Sequence, residues 1–182
     1  MISILIPVLN GVKHIRECIE GIQNQTYKDY VVNVWDGCSQ NGTMEYLLDL
    51  KNKWEKIKII SGPDDGPADA INKAFKYSQG DIVTIPLADT YYQHENVFSE
   101  VIKIFNQDLD LSLIYGDMRI LEEESGKYIR DYPSNISKVW EYPSLHFSTL
   151  FLRRKLFSDY RMNIQFYYLN DYFLMLSIYL YK

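Results

Sequence analysis

The chain has only two cysteines, Cys18 and Cys38, and their placement matches neither a CxxC pair nor a zinc-ligand spacing. That argues against a redox dithiol or a structural zinc site. Cys18 falls on the apolar stripe of an expected helix, which reads as a buried free thiol. There is no excess of basic residues: 19 Lys and Arg stand against 24 Asp and Glu, a net charge of -5. Nothing in that balance calls for a nucleic-acid partner. No apolar run reaches the length of a membrane span. The opening MISILIPVLN has no basic leader and runs straight into an expected strand, so a cytoplasmic chain is expected. The first strand is not followed by GxGxxG, and no GxxxxGK[ST] occurs. Both absences disfavour a dinucleotide-binding Rossmann site and a P-loop ATPase. With no repeat, low-complexity tract or linker, 182 residues are expected to form one domain spanning 1–182.

What is present is an alternation of short apolar runs and amphipathic segments. Ile2-Ser3-Ile4-Leu5-Ile6 reads as a buried strand stopped by Pro7, and residues 12–24 as a helix with Ile15, Cys18, Ile19 and Ile22 on one face. Strands are expected at 30–35, 56–60 and 82–87. Helices are expected at 43–53 and from Pro67, a residue suited to a first helical turn. This βαβ pattern predicts an α/β fold, a mostly parallel sheet flanked by helices, with ligands outside the carboxyl ends of the strands. Further on, 97–105 reads as a helix and 111–115 as a strand. Residues 118–121 and 128–130 read as a small antiparallel hairpin, and 149–152 as a last edge strand. Residues from Asn170 onward have helical spacing.

Unusual polar residues collect where the strands end: Pro7 and Asn10, then Asp36, then Asp64 and Asp65, then Asp89. Asp36 can accept hydrogen bonds from a base or a ribose, or cap the turn that follows it. Asp65 shares that ambiguity, and Asp69 can simply favour the positive end of its helix. Asp89 can bind a divalent cation that neutralises a diphosphate, but the residue two before it is Leu87, which ligates nothing. Asp171 is a helix cap or a functional acid, and His146 a structural residue or a substrate contact.

Taken in order, these segments resemble the inverting, nucleotide-sugar-dependent glycosyltransferases of family 2, which have the GT-A fold. The opening Ile4-Leu5-Ile6-Pro7-Val8-Leu9-Asn10-Gly11 is similar to the family's first strand and turn. Asp36-Gly37-Cys38-Ser39-Gln40-Asn41-Gly42-Thr43 is similar to DGGSTDGT. Pro63-Asp64-Asp65-Gly66 and Asp69-Ala70-Ile71-Asn72-Lys73 resemble the PDxG and DAxNK segments. The resemblance covers about the first 120 residues, then thins to His146-Phe147-Ser148-Thr149 and Asn170-Asp171. It implies a nucleotide-sugar-binding part over 1–120 and an acceptor-side part over 121–182 that is short for the family.

The resemblance also implies roles. Pro7, Asn10 and Asp36 would surround the nucleoside, Asp65 and Asp69 would line the donor pocket, and His146 would stand on the acceptor side. Asp89 would be the surviving acid of a DxD motif, holding a weakly bound Mg or Mn. Asp171 would be the general base. The implied partners are a nucleotide-diphosphate sugar, in one version UDP-linked, and a glycan or lipid-linked acceptor in surface polysaccharide synthesis. A position at the inner face of the cell membrane and a homodimer are left open. Leu87, Thr90 and Asn170 replace acids common in the family. A degenerate homologue that binds a nucleotide or a partner protein without turnover is therefore the competing expectation.

Overall fold

The computed structural model describes residues 1–122, 125, 127–138, 144–165 and 174. Its main sheet has six strands in the order β3-β2-β1-β4-β8-β5. The first four are β1 (Ile2–Val8), β2 (Tyr30–Asp36), β3 (Ile57–Ser61) and β4 (Ile82–Thr84), parallel to one another. Helices α1 (Ile15–Gln23), α2 (Thr43–Lys53) and α3 (Pro67–Lys76) make the crossovers. Helix α4 (Val97–Gln107) then leads to β5 (Leu113–Ile114). A separate two-stranded sheet, β6 (Met118–Leu121) with β7 (Tyr128–Tyr132), is the expected hairpin. Strand β8 (Phe151–Arg153) and the short α5 (Arg154–Asp159) complete the described elements. The α/β architecture is as expected.

Every residue of β1 is buried, because helices cover both faces of the sheet. On one face Ile2, Ile4, Ile6, Val32 and Val34 pack with α1 and with Phe98 and Phe105 of α4. On the other, Leu5, Trp35 and Val83 pack with Ile71, Ala74 and Phe75 of α3, with Phe157 of α5 and with Leu174. Cys18 is buried as expected, and desolvation, helped by the nearby negative charge of Asp89, pushes its thiol up to about 12.

Two sequence expectations are corrected. Pro7 does not stop the first strand; it lies inside β1, opposite Trp35. The Val8 carbonyl accepts the Gly37 N–H on the β2 side, so strand alternation turns Pro7 to the β4 side. There the ladder has already ended at Ile4↔Thr84, and the missing N–H costs no hydrogen bond. The second correction concerns β8. It is an interior strand, antiparallel to both β4 and β5, and its consecutive Phe151 and Leu152 are buried on opposite faces. The helix expected from Asn170 onward lies outside the described residues, apart from Leu174.

Candidate donor site at the carboxyl edge of the sheet

The loops after β3, β2, β1 and β4 are tied together in the same order as the strands themselves. Between the β1 and β2 loops the clamp is reciprocal. Asn10, in the left-handed region at φ 54, takes the Gln40 N–H on its side-chain oxygen at 2.8 Å and donates its own N–H to Ser39 Oγ at 2.7 Å. Its carbonyl accepts from Asn41 Nδ2 at 2.8 Å. Asparagine tolerates this backbone because its short amide bonds locally.

Asp36 closes β2 with a fully buried carboxylate. Its Oδ2 accepts the Ser39 N–H at 3.1 Å and the Ser61 hydroxyl at 2.7 Å. Ser61 is its register partner on β3. Buried carboxylates are tolerated when hydrogen-bonded in this way. Asp36 is thus both the residue expected against a nucleoside and the joint between two loops.

The β3 loop is held through Asp64. Its Oδ2 accepts the Trp35 indole N–H at 3.1 Å, and its Oδ1 accepts the Gly66 N–H at 3.0 Å. A Cβ on Gly37 would stand 2.8 Å from Asp64 Oδ2, so glycine is what lets the two loops approach. Asp65, named from the sequence, is exposed and donates its N–H to Asp69 Oδ2 at 3.1 Å. Asp69 pairs with Lys73 at 2.6 Å, and Lys73 also donates to the Pro63 carbonyl and lies over the Trp35 ring. Partial burial would raise the Asp69 carboxyl, but the bonds from Lys73 and the Asp65 N–H hold it below its ordinary range. The same pairing raises Lys73 above its usual value. Asp69 and Asn72 also line a hollow of about 470 Å³ beside residues 161–165.

On the other side, Ala88 lies against Gly11, and Asp89 is close enough to charge the surroundings of Cys18. Asp89 is exposed on a turn closed by Thr90 onto the Leu87 carbonyl. His146 arrives from a third direction. Because Phe151 pairs with Thr84 in an antiparallel register, the chain entering β8 crosses the carboxyl end of β4. His146 precedes the 3-10 turn Phe147–Thr149, its carbonyl accepting the Thr149 N–H, and its ring sits edge-on to Tyr132, centroids 5.3 Å apart. Asn10, Asp36, Asp65, Asp69, Asp89 and His146 are therefore grouped at one edge. Pro7 is buried beneath them in β1, and Asp171 lies outside the described residues.

Sequence reasoning missed Ser61 and left Asp64 out of the candidate set. Ser61 becomes visible only with the β2–β3 register. Asp64 had a signal, an acid two residues before Gly66, which is the spacing of an Asx turn.

A parallel sheet whose strand-end loops interlock around a buried acid defines a ligand-binding α/β domain of the kind that uses its carboxyl edge. The glycosyl transferase family 2 model matches residues 3–168, and the chain belongs to that family. It is 26% identical over 132 residues to chondroitin synthase of Pasteurella multocida, covering 72% of this chain but 14% of that protein. It is 24% identical over 181 residues to the Escherichia coli UDP-Glc:alpha-D-GlcNAc-diphosphoundecaprenol beta-1,3-glucosyltransferase WfgD, covering 98% of this chain and 69% of that one. The chain thus spans a small part of the synthase and about two-thirds of the glucosyltransferase. Two solved structures share its fold. One is Staphylococcus aureus TarS 1-349 with UDP (TM-score 0.79, 17% identity, 98% of this chain, 55% of that one). The other is the Pyrobaculum calidifontis mannosyltransferase PcManGT with GDP-Man and Mn2+ (TM-score 0.77, 19% identity, 97% and 51%).

Proposed function

We propose that this chain carries the donor site of an inverting glycosyltransferase. It would move a sugar from a nucleotide-diphosphate sugar to a glycan or lipid-linked acceptor in surface polysaccharide synthesis. The observation that carries this reading is the interlocked set of strand-end loops around Asp36. They leave Asn10, Asp65 and Asp69 at the rim, with Pro7 fixing the strand below. Family membership and the activities of the chondroitin synthase and the diphosphoundecaprenol glucosyltransferase support the substrate class. In the proposed reaction Asp171 takes the proton of an acceptor hydroxyl. That oxygen attacks the anomeric carbon from the face opposite the departing nucleoside diphosphate, and His146 stands on the acceptor side.

Exposed Cys38 gives a direct test of the donor site. It sits in the β2 loop at φ 65, between Asp36 and Gln40, while Cys18 is buried. A maleimide should label one thiol in the native chain and two in denaturant. Saturating UDP should slow labelling of Cys38 several-fold. Equal labelling rates with and without UDP, GDP and the other nucleoside diphosphates would remove this loop from the site.

The donor set does not fit a resident divalent ion. Leu87 is apolar and 38% exposed, and among the described residues no three His, Cys, Asp or Glu side chains could hold a metal. Asp89 is then the protein carboxylate available to a Mg or Mn ion that the nucleotide brings with it. Such an ion would offset charge on the leaving diphosphate. Titration with Mn should show negligible binding to the free chain and weak binding in the presence of UDP; a tight site in the free chain would disprove this. Exposed Leu87 is also the observation favouring the second reading, a homologue that binds a nucleotide or partner protein without turnover. Retained UDP binding with no transfer to any acceptor would establish it.

A further inference from the structure

Away from the carboxyl edge, a hollow of about 420 Å³ opens beside edge strand β3, beneath the end of α3. Lys51 of α2, Lys58 of β3 and Lys76 of α3 line it, with Tyr77, Ser78 and Gln79, and no carboxylate is among its lining residues. Among the described residues none of these three lysines is in an ion pair, whereas Lys53, Lys73 and Lys155 all are. Three cations around one hollow repel one another, which an anionic guest relieves.

We infer that this hollow is an anion site for a phosphate group, separate from the strand-end loops, with Lys51, Lys58 and Lys76 as its cations; Lys76 also borders the hollow that Asp69 lines. The phosphate comes either free in solution or on an anionic lipid headgroup.

Edge strands also carry lysines merely to repel other strands, and the experiment separates the two roles. The whole chain, saturated with UDP so that the donor site is filled, is titrated with inorganic phosphate and followed by amide NMR. Signals of Lys58, Tyr77 and Gln79 should move saturably while those of Ser39 and Gln40 stay still. The double variant K51Q/K76Q, changed at two exposed positions, should weaken the apparent affinity about five-fold or more per lysine with an unchanged melting temperature. Co-sedimentation with phosphatidylglycerol vesicles but not phosphatidylcholine vesicles, lost in the double variant, would identify the lipid headgroup as the source. Saturable phosphate shifts without vesicle binding would identify free phosphate. If neither probe acts at the hollow, or both act equally on the double variant, the lysines are edge guards and the site does not exist. The result holds whether or not the donor reading does: a chain that bound no UDP would be titrated in the same way.

Discussion

Asp36→Ala should unfold this domain more easily and weaken nucleotide binding at once. The substitution strands the Ser61 hydroxyl and the Ser39 N–H, both of which end on the buried carboxylate. Ser61 is exposed and Ser39 half-buried, so water can re-pair both donors and each lost bond costs about 1 kcal/mol, a loss of roughly 1–3 kcal/mol in unfolding free energy. UDP affinity should fall by a further 1–3 kcal/mol or so, about five- to 150-fold, if the carboxylate also meets the nucleoside. Ser61→Ala is the control. It removes one partner of Asp36 without removing the carboxylate, and should cost about 1 kcal/mol of stability with little change in UDP affinity. Denaturant titration and calorimetry on both variants read the two effects. If affinity falls equally in both, Asp36 acts only as a joint between loops. If neither quantity changes in Asp36→Ala, the described hydrogen bonds do not hold this loop.

Most of the architecture was legible because the grammar of the chain is local. Short apolar runs, helical spacing at Ile15, Cys18, Ile19 and Ile22, and Pro67 at a helix start each carry their own physical signal. What was misread depended on neighbours. A proline ends a strand only where its N–H would be used, and the side of β1 that Pro7 faces is known only once β4 is placed. Strand β8 was read as an edge, although Phe151 and Leu152 in succession mark burial on both faces. The candidate site divided in the same way. Asp36, Asn10 and Asp89 stand at strand ends and could be found from the sequence. The bond from Ser61 to Asp36 needs a register, and the bond from Trp35 to Asp64 needs two strand ends brought together.

Asp171→Asn should lower sugar transfer by roughly 10²–10⁴-fold, the usual contribution of a positioned general base. The substitution suits the question because asparagine caps a helix about as well as aspartate does. If Asp171 were only a cap, the variant would keep both its stability and its activity. If it is the base, stability is kept and the proton acceptor is lost, since a neutral amide cannot take a proton at neutral pH. UDP affinity should stay within about two-fold of the parent, because the ground-state complex does not use the acceptor's proton and only the transition state does. The loss should therefore fall on kcat and not on donor KM. Donor hydrolysis gives a further check. Water can lose its proton to bulk solvent more readily than a sugar hydroxyl held in a closed site, so residual hydrolysis should fall less than transfer. A variant that transfers sugar at the parental rate would take Asp171 out of the reaction. A parent that binds UDP but transfers to no acceptor, together with an inert Asp171→Asn, would instead favour the non-catalytic reading to which exposed Leu87 already points.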